Sequence, residues 1–454
     1  MDANRLFRMA RIINRLLWPF LLPLIGGVWI FSKKARPHFG ERLGLWSHEE
    51  SGRTILPKSQ GARLLFHLAS LGEAHAATPL IDDLSKRHCL YLTTTTLTGR
   101  AALKRRFPEI PVSLAPLDLP DLWHPFLKSR RIAGILLFET EIWPIMLLSA
   151  YASGIPVGMV NGRLSSRGMK RMSRFGFVFG RLVRTMDPIL VQSPADRDRF
   201  LALGASSDKV VWTGNLKWDL PEDPDDSVLS RNLEEWLTSG EKEFLSSNGK
   251  PFRVLFSSVH PGETQELMQA ILRKTRYSRP LHIVLAPRHL DRLQEFHKVV
   301  SLFRSHRFRS GSGKQSPDSA SPILLSVLDT YGELRMLPPL CEMAVIGGTV
   351  EPIGGHSPVE SAHAGIPLVI GPHIDHIRDL VLALEEGGGI LRIETAEELP
   401  DRIERLMNSE EERATLGERA KRVCEVQKGS RQRTLAGLRD FLERTGGKVE
   451  GLSS

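Results

Sequence analysis

The stretch "LLFHLASLGEAHAATPLIDDL", residues 64–84, decides the fold class because an apolar run in it passes directly into an amphipathic one. Residues 64–66 have the pattern of a buried strand, whereas apolar residues recur at helical spacing over 77–84. Glu73 lies at the turn between them. A lone glutamate there can merely complement the helix dipole, an effect of about 0.3–1 kcal/mol. Whether Glu73 does more depends on the rest of the chain.

The same pattern of a strand followed by a helix recurs along the whole chain. The first half has predicted strands at residues 63–69, 89–93, 133–138, 155–160 and 188–192. The second half has them at residues 253–258, 281–286, 323–328, 343–346 and 367–370. This alternation is typical of βαβ units and of a parallel sheet covered on both faces. We therefore predict two doubly wound α/β domains that face each other across a cleft.

The domain limits follow from length and composition. A chain of 454 residues exceeds what one hydrophobic core usually serves, and the acidic, proline-bearing stretch "DLPEDPDDS" resembles a linker. The predicted parts are an N-terminal anchor, a first domain, this linker, a second domain, and a C-terminal helix and tail. Their residues are 1–35, 36–218, 219–227, 228–425 and 426–454.

The charge balance predicts an anionic partner. The net charge is +9, which suits nucleic acid, anionic lipid or a phosphorylated substrate and does not choose among them. The three cysteines have no metal-binding spacing, so we expect a reducing compartment and neither a metal site nor a cofactor.

Two segments point toward a membrane. Residues 16–31, "LLWPFLLPLIGGVWIF", are apolar and flanked by basic residues, which predicts an uncleaved anchor on the membrane surface; the alternative is a helix packed on the main body. Residues 163–184 hold seven Lys or Arg residues, no acid and three phenylalanines. Such a segment can stack on nucleic acid, dip into a membrane or cover a lipid-like substrate. It can also be a solvated helix whose phenylalanines face the core.

In parallel sheets, ligands bind beyond the carboxyl ends of the strands, and polar residues gather at those positions in the second half. Glycine pairs, hydroxyls, histidines and an arginine there favour a nucleotide phosphate. The alternatives are a surface ion pair for Arg288 and a capping box for Ser357 and Glu360, although Glu360 can instead bind a ribose diol. The predicted donor-binding residues are Lys217, Ser258, His260, Arg288, Gly347, Gly348, Gly355, Ser357 and Glu360.

The strand ends of the first half are acidic instead. A carboxylate that is partly removed from water has a raised pKa and can take a proton from an attacking hydroxyl. Glu73 and Glu139 are the catalytic candidates. The candidates for the acceptor side are Ser70, Gly72, Thr95, Glu141, Asn161 and Arg163.

Ten motifs in order resemble the bacterial transferases of 3-deoxy-D-manno-octulosonic acid (Kdo). They run from "HLASLGE" through "TTTTLTG", "ETEIWP", "NGRLS", "QSPADRDRF", "GNLKWD", "SSVHPGE", "PRH" and "DTYGEL" to "GGHSPVE". The resemblance implies a GT-B fold with a membrane-associated N-terminal helix. It also implies CMP-Kdo as donor and a metal-independent, inverting transfer to a glucosamine hydroxyl of the lipid A precursor, lipid IVA, in lipopolysaccharide biosynthesis. The expected location is the cytoplasmic face of the inner membrane, against anionic lipid.

Residue by residue, Glu73 matches the family's proposed general base and Glu139 a second acidic residue implicated in activity. Arg288 matches the basic residue near the CMP phosphate, and Glu360 the glutamate expected at the ribose. The chain departs from the family at Ser357 and Ile145, where asparagine is usual, and at Pro261, where glutamate is common.

Two other functions remain open at this stage. One is a GT-B transferase that uses a UDP-sugar. The other is a non-catalytic, membrane-attached module that binds nucleotide or RNA. We expect no nucleic-acid partner, because the acidic turns of the first half would repel a phosphate backbone.

Overall fold

The computed structural model describes residues 39–43, 62–220, 226–244, 250–311 and 322–445. The chain divides into two compact units, which we call unit 1, Met1–Pro221 with Gly429–Ser454, and unit 2, Glu222–Lys428. The predicted anchor, residues 1–35, lies outside the described residues. Among those that are described, no helix is long and apolar enough to cross a membrane.

Unit 1 is built on a seven-stranded parallel sheet with the order β3-β2-β1-β4-β5-β6-β7. The strands are β1 Arg63–Leu68, β2 Leu90–Thr94, β3 Val112–Leu114, β4 Ile132–Phe138, β5 Val157–Gly162, β6 Met186–Val191 and β7 Val210–Trp212. The helices of unit 1 that precede the start of unit 2 are α1 Phe39–Arg42, α2 Leu71–Ser85, α3 Leu97–Arg106, α4 Pro120–Ser129, α5 Pro144–Ala152, α6 Ser166–Ser173, α7 Gly176–Arg184 and α8 Pro194–Leu203. The strand order reverses between β1 and β4, which is where doubly wound sheets bind ligands.

Side-chain caps fix where several of these helices begin. The hydroxyls of Ser70, Thr96, Ser165 and Ser193 each accept a hydrogen bond from a backbone N–H in the first turn of α2, α3, α6 and α8. Each such cap is worth about 1 kcal/mol. The caps place the helix N-termini after the strand ends. The backbone N–H groups of the first helical turns therefore gather at the carboxyl ends of the strands.

Unit 2 repeats the design with the order β10-β11-β9-β8-β12-β13-β14, all parallel. Its strands are β8 Phe252–Val259, β9 Leu281–Pro287, β10 Ser305–Phe308, β11 Ile323–Val327, β12 Met343–Ile346, β13 Leu368–Ile370 and β14 Ile390–Arg392. Its helices are α9 Asp226–Phe244, α10 Pro261–Arg273, α11 Leu293–Val300, α12 Val359–His363, α13 Arg378–Glu386, α14 Leu399–Asn408 and α15 Glu410–Gln427. The ten predicted strands are all present, and the predicted α/β class with two doubly wound units is confirmed.

The chain returns to unit 1 at its C-terminal end, where α16 is Ser430–Gly437 and α17 is Arg439–Thr445. The Asp219 carboxylate accepts hydrogen bonds from the backbone N–H groups of Gly429 (2.9 Å) and Arg431 (2.7 Å). Phe441 is fully buried in the same apolar cluster as Leu64 and Leu136. Within the segment predicted as a C-terminal helix and tail, 426–454, the described residues 429–445 therefore complete the core of unit 1.

Candidate active site

Glu73 lies in the first turn of α2, at the carboxyl end of β1. Its Oε2 accepts the backbone N–H of Ala69 at 2.7 Å, and its Oε1 accepts the hydroxyl of Ser70 at 3.1 Å. Burial raises the pKa of Glu73 to about 8, and the charges of Glu139 and Glu141 add to this, while the bond from Ala69 opposes it. The carboxyl group thus exchanges a proton close to neutral pH, as a general base must.

Glu139 follows β4 directly and adopts a left-handed backbone conformation, with φ +56°. Non-glycine residues adopt this conformation at a cost of about 1–3 kcal/mol, often at functional sites. The Nζ of Lys217 lies 2.8 Å from Oε1 of Glu139. Lys217 therefore belongs to unit 1, whereas the other residues predicted to bind the donor belong to unit 2.

A buried amide network holds the backbone of Lys217. Asn161, which is fully buried with φ +53°, accepts the N–H of Leu216 at 2.9 Å. Gln192 donates to the carbonyl of Asn161 and accepts from Asn215, both at 3.0 Å. Asn215 then accepts the N–H of Lys217 at 3.0 Å. The structure thus places Asn161, a candidate for the acceptor side, beneath the surface as a support for Lys217.

The carboxylate of Glu141 contacts two ring side chains, Trp143 and His67. Its Oε2 accepts the indole N–H of Trp143 at 2.8 Å and lies 3.6 Å from Nε2 of His67. His67 is fully buried in β1, with Nδ1 3.0 Å from the hydroxyl oxygen of Thr93. Sequence reasoning missed His67, although a histidine inside the apolar run "LLFHLA" was a visible signal.

The other acceptor-side candidates lie at the same strand ends. A Cβ added to Gly72 would meet only the hydroxyl oxygen of Ser70, at 3.9 Å, so Gly72 leaves open space before the helix. The hydroxyl of Thr95 donates to the carbonyl that precedes Ser70, and the carbonyl of Arg163 accepts the hydroxyl of Thr140. In unit 1, these residues therefore lie beside Glu73 or Glu139, at the carboxyl ends of the strands.

In unit 2 a buried carboxylate organises the glycine-rich loop. Glu263 is fully buried and accepts backbone N–H groups from His260 at 2.9 Å, Gly348 at 2.6 Å and Val350 at 3.4 Å. A Cβ on Gly347 would come within 2.4 Å of the carbonyl oxygen of Ser258, so only glycine fits there. Glu263 ties the turn after β8 to the turn after β12. Sequence reasoning quoted its motif but did not select it.

Histidines gather around the same turns. The Nε2 atoms of His260 and His356 are 2.7 Å apart, and the ring centroids of His260 and His289 are 5.6 Å apart. Burial lowers the pKa of His260 to about 4 and that of His356 to about 3, helped by nearby Arg288 and His289. These rings are neutral at pH 7 in the free protein.

Arg288 and Glu360 influence each other in unit 2. Burial lowers the pKa of Arg288, while the charge of Glu360 opposes that shift. Burial likewise raises the pKa of Glu360, opposed by a hydrogen bond from Ser357. The hydroxyl oxygen of Ser357 accepts the N–H of Val359 at 3.3 Å, and α12 begins at Val359 rather than at the proline expected from a capping box. Of the predicted donor-binding residues of unit 2, Gly355, Ser357 and Glu360 thus lie in the loop and helix that follow β12, and the others lie at the carboxyl ends of strands.

The basic segment 163–184 forms α6 and α7, with Phe175 55% exposed and Phe177 64% exposed. The interpretation that its phenylalanines face the core is therefore wrong for these two. Met172 does face the core. We call this surface, formed by residues 163–184, the basic aromatic surface.

Solved structures resemble this fold over most of the chain. Anabaena Alr3699/HepE in complex with UDP-glucose matches with a TM-score of 0.54 and 13% identity, covering 84% of this chain and 99% of that one. UDP-GlcNAc 2-epimerase from Neisseria meningitidis matches with a TM-score of 0.51 and 14% identity, covering 84% and 100%. Together with the two seven-stranded parallel sheets, these neighbours define a protein of the GT-B glycosyltransferase fold.

The relatives found by sequence are Kdo transferases. The family model described as "3-Deoxy-D-manno-octulosonic-acid transferase (kdotransferase)" matches residues 37–220. The 3-deoxy-D-manno-octulosonic acid transferase of Haemophilus influenzae is 29% identical over 433 residues, 94% of this chain and 96% of the relative. That of Bordetella pertussis is 28% identical over 449 residues, 96% and 100%. The chain is a glycosyltransferase and is similar to the Kdo transferases over most of its length.

Proposed function

We propose that the protein transfers Kdo from CMP-Kdo to a glucosamine hydroxyl of the lipid A precursor, in a single displacement with inversion. The observation that carries this proposal is Glu73, a carboxyl with a pKa of about 8 at a strand end of unit 1. Such a group is partly ionised at neutral pH, and in its ionised form it can accept the proton of an attacking hydroxyl.

In the proposed step, Glu73 takes the proton as the acceptor oxygen forms a bond to the anomeric C2 of Kdo. The bond between C2 and the phosphate oxygen breaks on the opposite face, and CMP leaves with the electron pair. Glu139 keeps the pKa of Glu73 high through its charge, and Lys217 pairs with Glu139 at 2.8 Å.

Unit 2 would hold the nucleotide. The glycine-rich turn after β12 lies at the carboxyl end of the sheet, and Gly348 (φ +71°) and Gly355 (φ +84°) have backbone conformations that disfavour other residues. Arg288 would face the leaving phosphate, where charge develops, and Glu360 would accept the ribose hydroxyls. Ser258 and Ser357 are the hydroxyl donors at the same turns.

The basic aromatic surface supports work at an anionic lipid surface. Seven Lys or Arg residues attract anionic headgroups, and two exposed phenylalanines can enter the interface. We propose that this surface, with the N-terminal residues 1–35, holds the enzyme on the cytoplasmic face of the inner membrane.

The test is to incubate the purified full-length protein with tetra-acylated lipid A precursor and CMP-Kdo, and in parallel with UDP-sugars, and to measure product masses. We expect added Kdo only with CMP-Kdo. Transfer from a UDP-sugar alone would instead support the rival transferase. Strong, salt-sensitive RNA binding without any sugar transfer would support the non-catalytic module.

A further inference from the structure

Four histidines lie at the carboxyl ends of four adjacent strands in unit 2. They follow β8, β9, β12 and β13, and they are His260, His289, His356 and His376. His260 is linked to His356 by the 2.7 Å bond and to His289 by a ring contact, and the charge of His376 acts on His356. We call these four residues the histidine quartet.

The bond between His260 and His356 limits how the pair is protonated. Only one proton can lie between two Nε2 atoms 2.7 Å apart, so one ring donates and the other accepts. In the neutral pair, the donating ring has a lone pair on its Nδ1; when His260 donates, this lone pair faces the backbone N–H of Glu263 in the capping box of α10. A proton added at this nitrogen leaves the inner bond intact and turns an acceptor into a donor. The pair can therefore gain one positive charge without breaking the bond between the two Nε2 atoms.

The surroundings of the pair are basic. Arg288, Arg292, His289 and His376 all disfavour a further positive charge on it. Among the acids, Glu263 is engaged by backbone N–H groups.

Two more acids approach these turns. Glu351 packs against the Cα of Gly262, and Glu360 interacts with Arg288. In the protein without nucleotide, cationic and protonatable groups are thus concentrated at these turns. A bound anion would favour the protonated, imidazolium form of the histidine pair.

We propose that the histidine quartet takes up one proton from solvent when the nucleotide phosphate of the donor binds, and so supplies part of the positive charge that holds this phosphate. The proton is released to solvent when the nucleotide leaves. This inference rests on the proposed function, because it assumes that unit 2 binds a nucleotide. Because His260 and His356 are neutral before the nucleotide binds, the site without nucleotide does not carry a further unpaired positive charge.

The experiment is titration calorimetry of the full-length protein with CMP at about pH 7.5, in two buffers of different ionisation enthalpy. The phosphate of CMP is then mainly a dianion, since its second pKa is about 6. We expect an uptake of up to one proton per CMP bound. We also expect the Kd to rise up to about tenfold per pH unit between about pH 7.5 and 8.5.

Two variants test which histidines take up the proton when CMP binds. In His356→Asn, and separately in His260→Asn, CMP should bind more weakly and with an uptake close to zero. The control is His297→Asn, since His297 is exposed on α11 and outside the quartet; its uptake should match the unaltered protein. Thermal unfolding of each variant verifies that it is folded.

A binding heat that does not depend on the buffer, with CMP bound normally, would overturn the inference and leave the proposed function standing. Unchanged uptake in both quartet variants would also overturn it. Failure of CMP to bind the unaltered protein at all would instead count against the proposed function itself.

Discussion

Glu73 acts in this account as a base whose pKa the fold raises to about 8. Because only the ionised carboxylate accepts a proton, kcat/KM should rise about tenfold per pH unit up to about pH 8 and then level off. The charge of Glu139 contributes to the raised pKa, so Glu139→Gln should move this acid limb to lower pH, whatever it does to the maximal rate. The measurement is a pH profile of Kdo transfer. Asp198→Asn, an exposed carboxylate on α8, is the control that should leave the limb in place.

Glu263 is expected to govern nucleotide affinity through the loop it holds. Glu263→Gln replaces a charged acceptor of three backbone N–H groups with an amide, which costs about 1.5–3 kcal/mol for one such bond. The Kd for CMP should rise about tenfold or more if that loop contacts the nucleotide. Glu266→Gln, an exposed position on the same helix, serves as the matched control in calorimetry. An unchanged Kd in a folded Glu263→Gln protein would remove the loop from the donor site.

At the residue scale, the sequence allowed prediction of side chains at turns but not of buried ones. Glu73 and Glu139 stood out because charged residues followed apolar runs. Glu263 and Asn161 bond to backbone groups that are distant in the sequence, and only the folded chain brings those groups to them. For this reason Glu263 was missed, and Asn161 was predicted as an acceptor-side residue without its contact to the backbone of Leu216.

At the scale of elements, a buried ion network joins α9 to the sheet of unit 2. The Glu241 carboxylate accepts Nη2 of Arg253 at 2.8 Å and Nδ1 of His282 at 2.7 Å. His282 in turn lies 2.8 Å from the hydroxyl oxygen of Ser326. The network is closed within the interior, because each of these polar groups has a partner there.

The network should make unit 2 sensitive to acid. Although burial raises the pKa of Glu241, hydrogen bonds from Arg253 and His282 outweigh it and lower that pKa to about 2. A depressed pKa contributes stability above the ordinary value near 4.5, and this stability is lost as the pH falls toward 2. The loss should approach about 3 kcal/mol. Denaturant unfolding at pH 7 and pH 3 would show it, and Glu241→Gln should be destabilised at pH 7 but less dependent on acid. Exposed Glu234→Gln should behave like the unaltered protein.

The strands that the sequence did not predict are β3, β7, β10 and β14, and these are the four sheet edges. Each has only three or four residues, such as "VSL" or "SHRF"; the inner strands β12, "MAVI", and β13, "LVI", are as short but are wholly apolar and buried. The inner strands are buried on both faces and had a clear signal. Periodicity thus reveals the centre of a parallel sheet, whereas its edges depend on neighbouring strands.

At the scale of the whole molecule, the C-terminal helices α16 and α17 complete unit 1 rather than extend unit 2. A chain ending at Lys428 should leave the Phe441 site in the core of unit 1 empty and fail to fold there. Phe441→Ala in the full chain should cost about 3–5 kcal/mol. Exposed Asp440→Asn is the control, and thermal unfolding is the measurement. Normal stability of the shortened chain would contradict this assignment.

The central claim is that unit 1 supplies the base and unit 2 holds the nucleotide. Its most direct test compares the unaltered protein with Glu73→Gln, using CMP-Kdo and lipid A precursor, and records both the product mass and the Kd for CMP. We predict that the variant binds CMP normally but transfers Kdo about 10² to 10⁴ times more slowly. Transfer by Glu73→Gln at the unaltered rate would contradict the account.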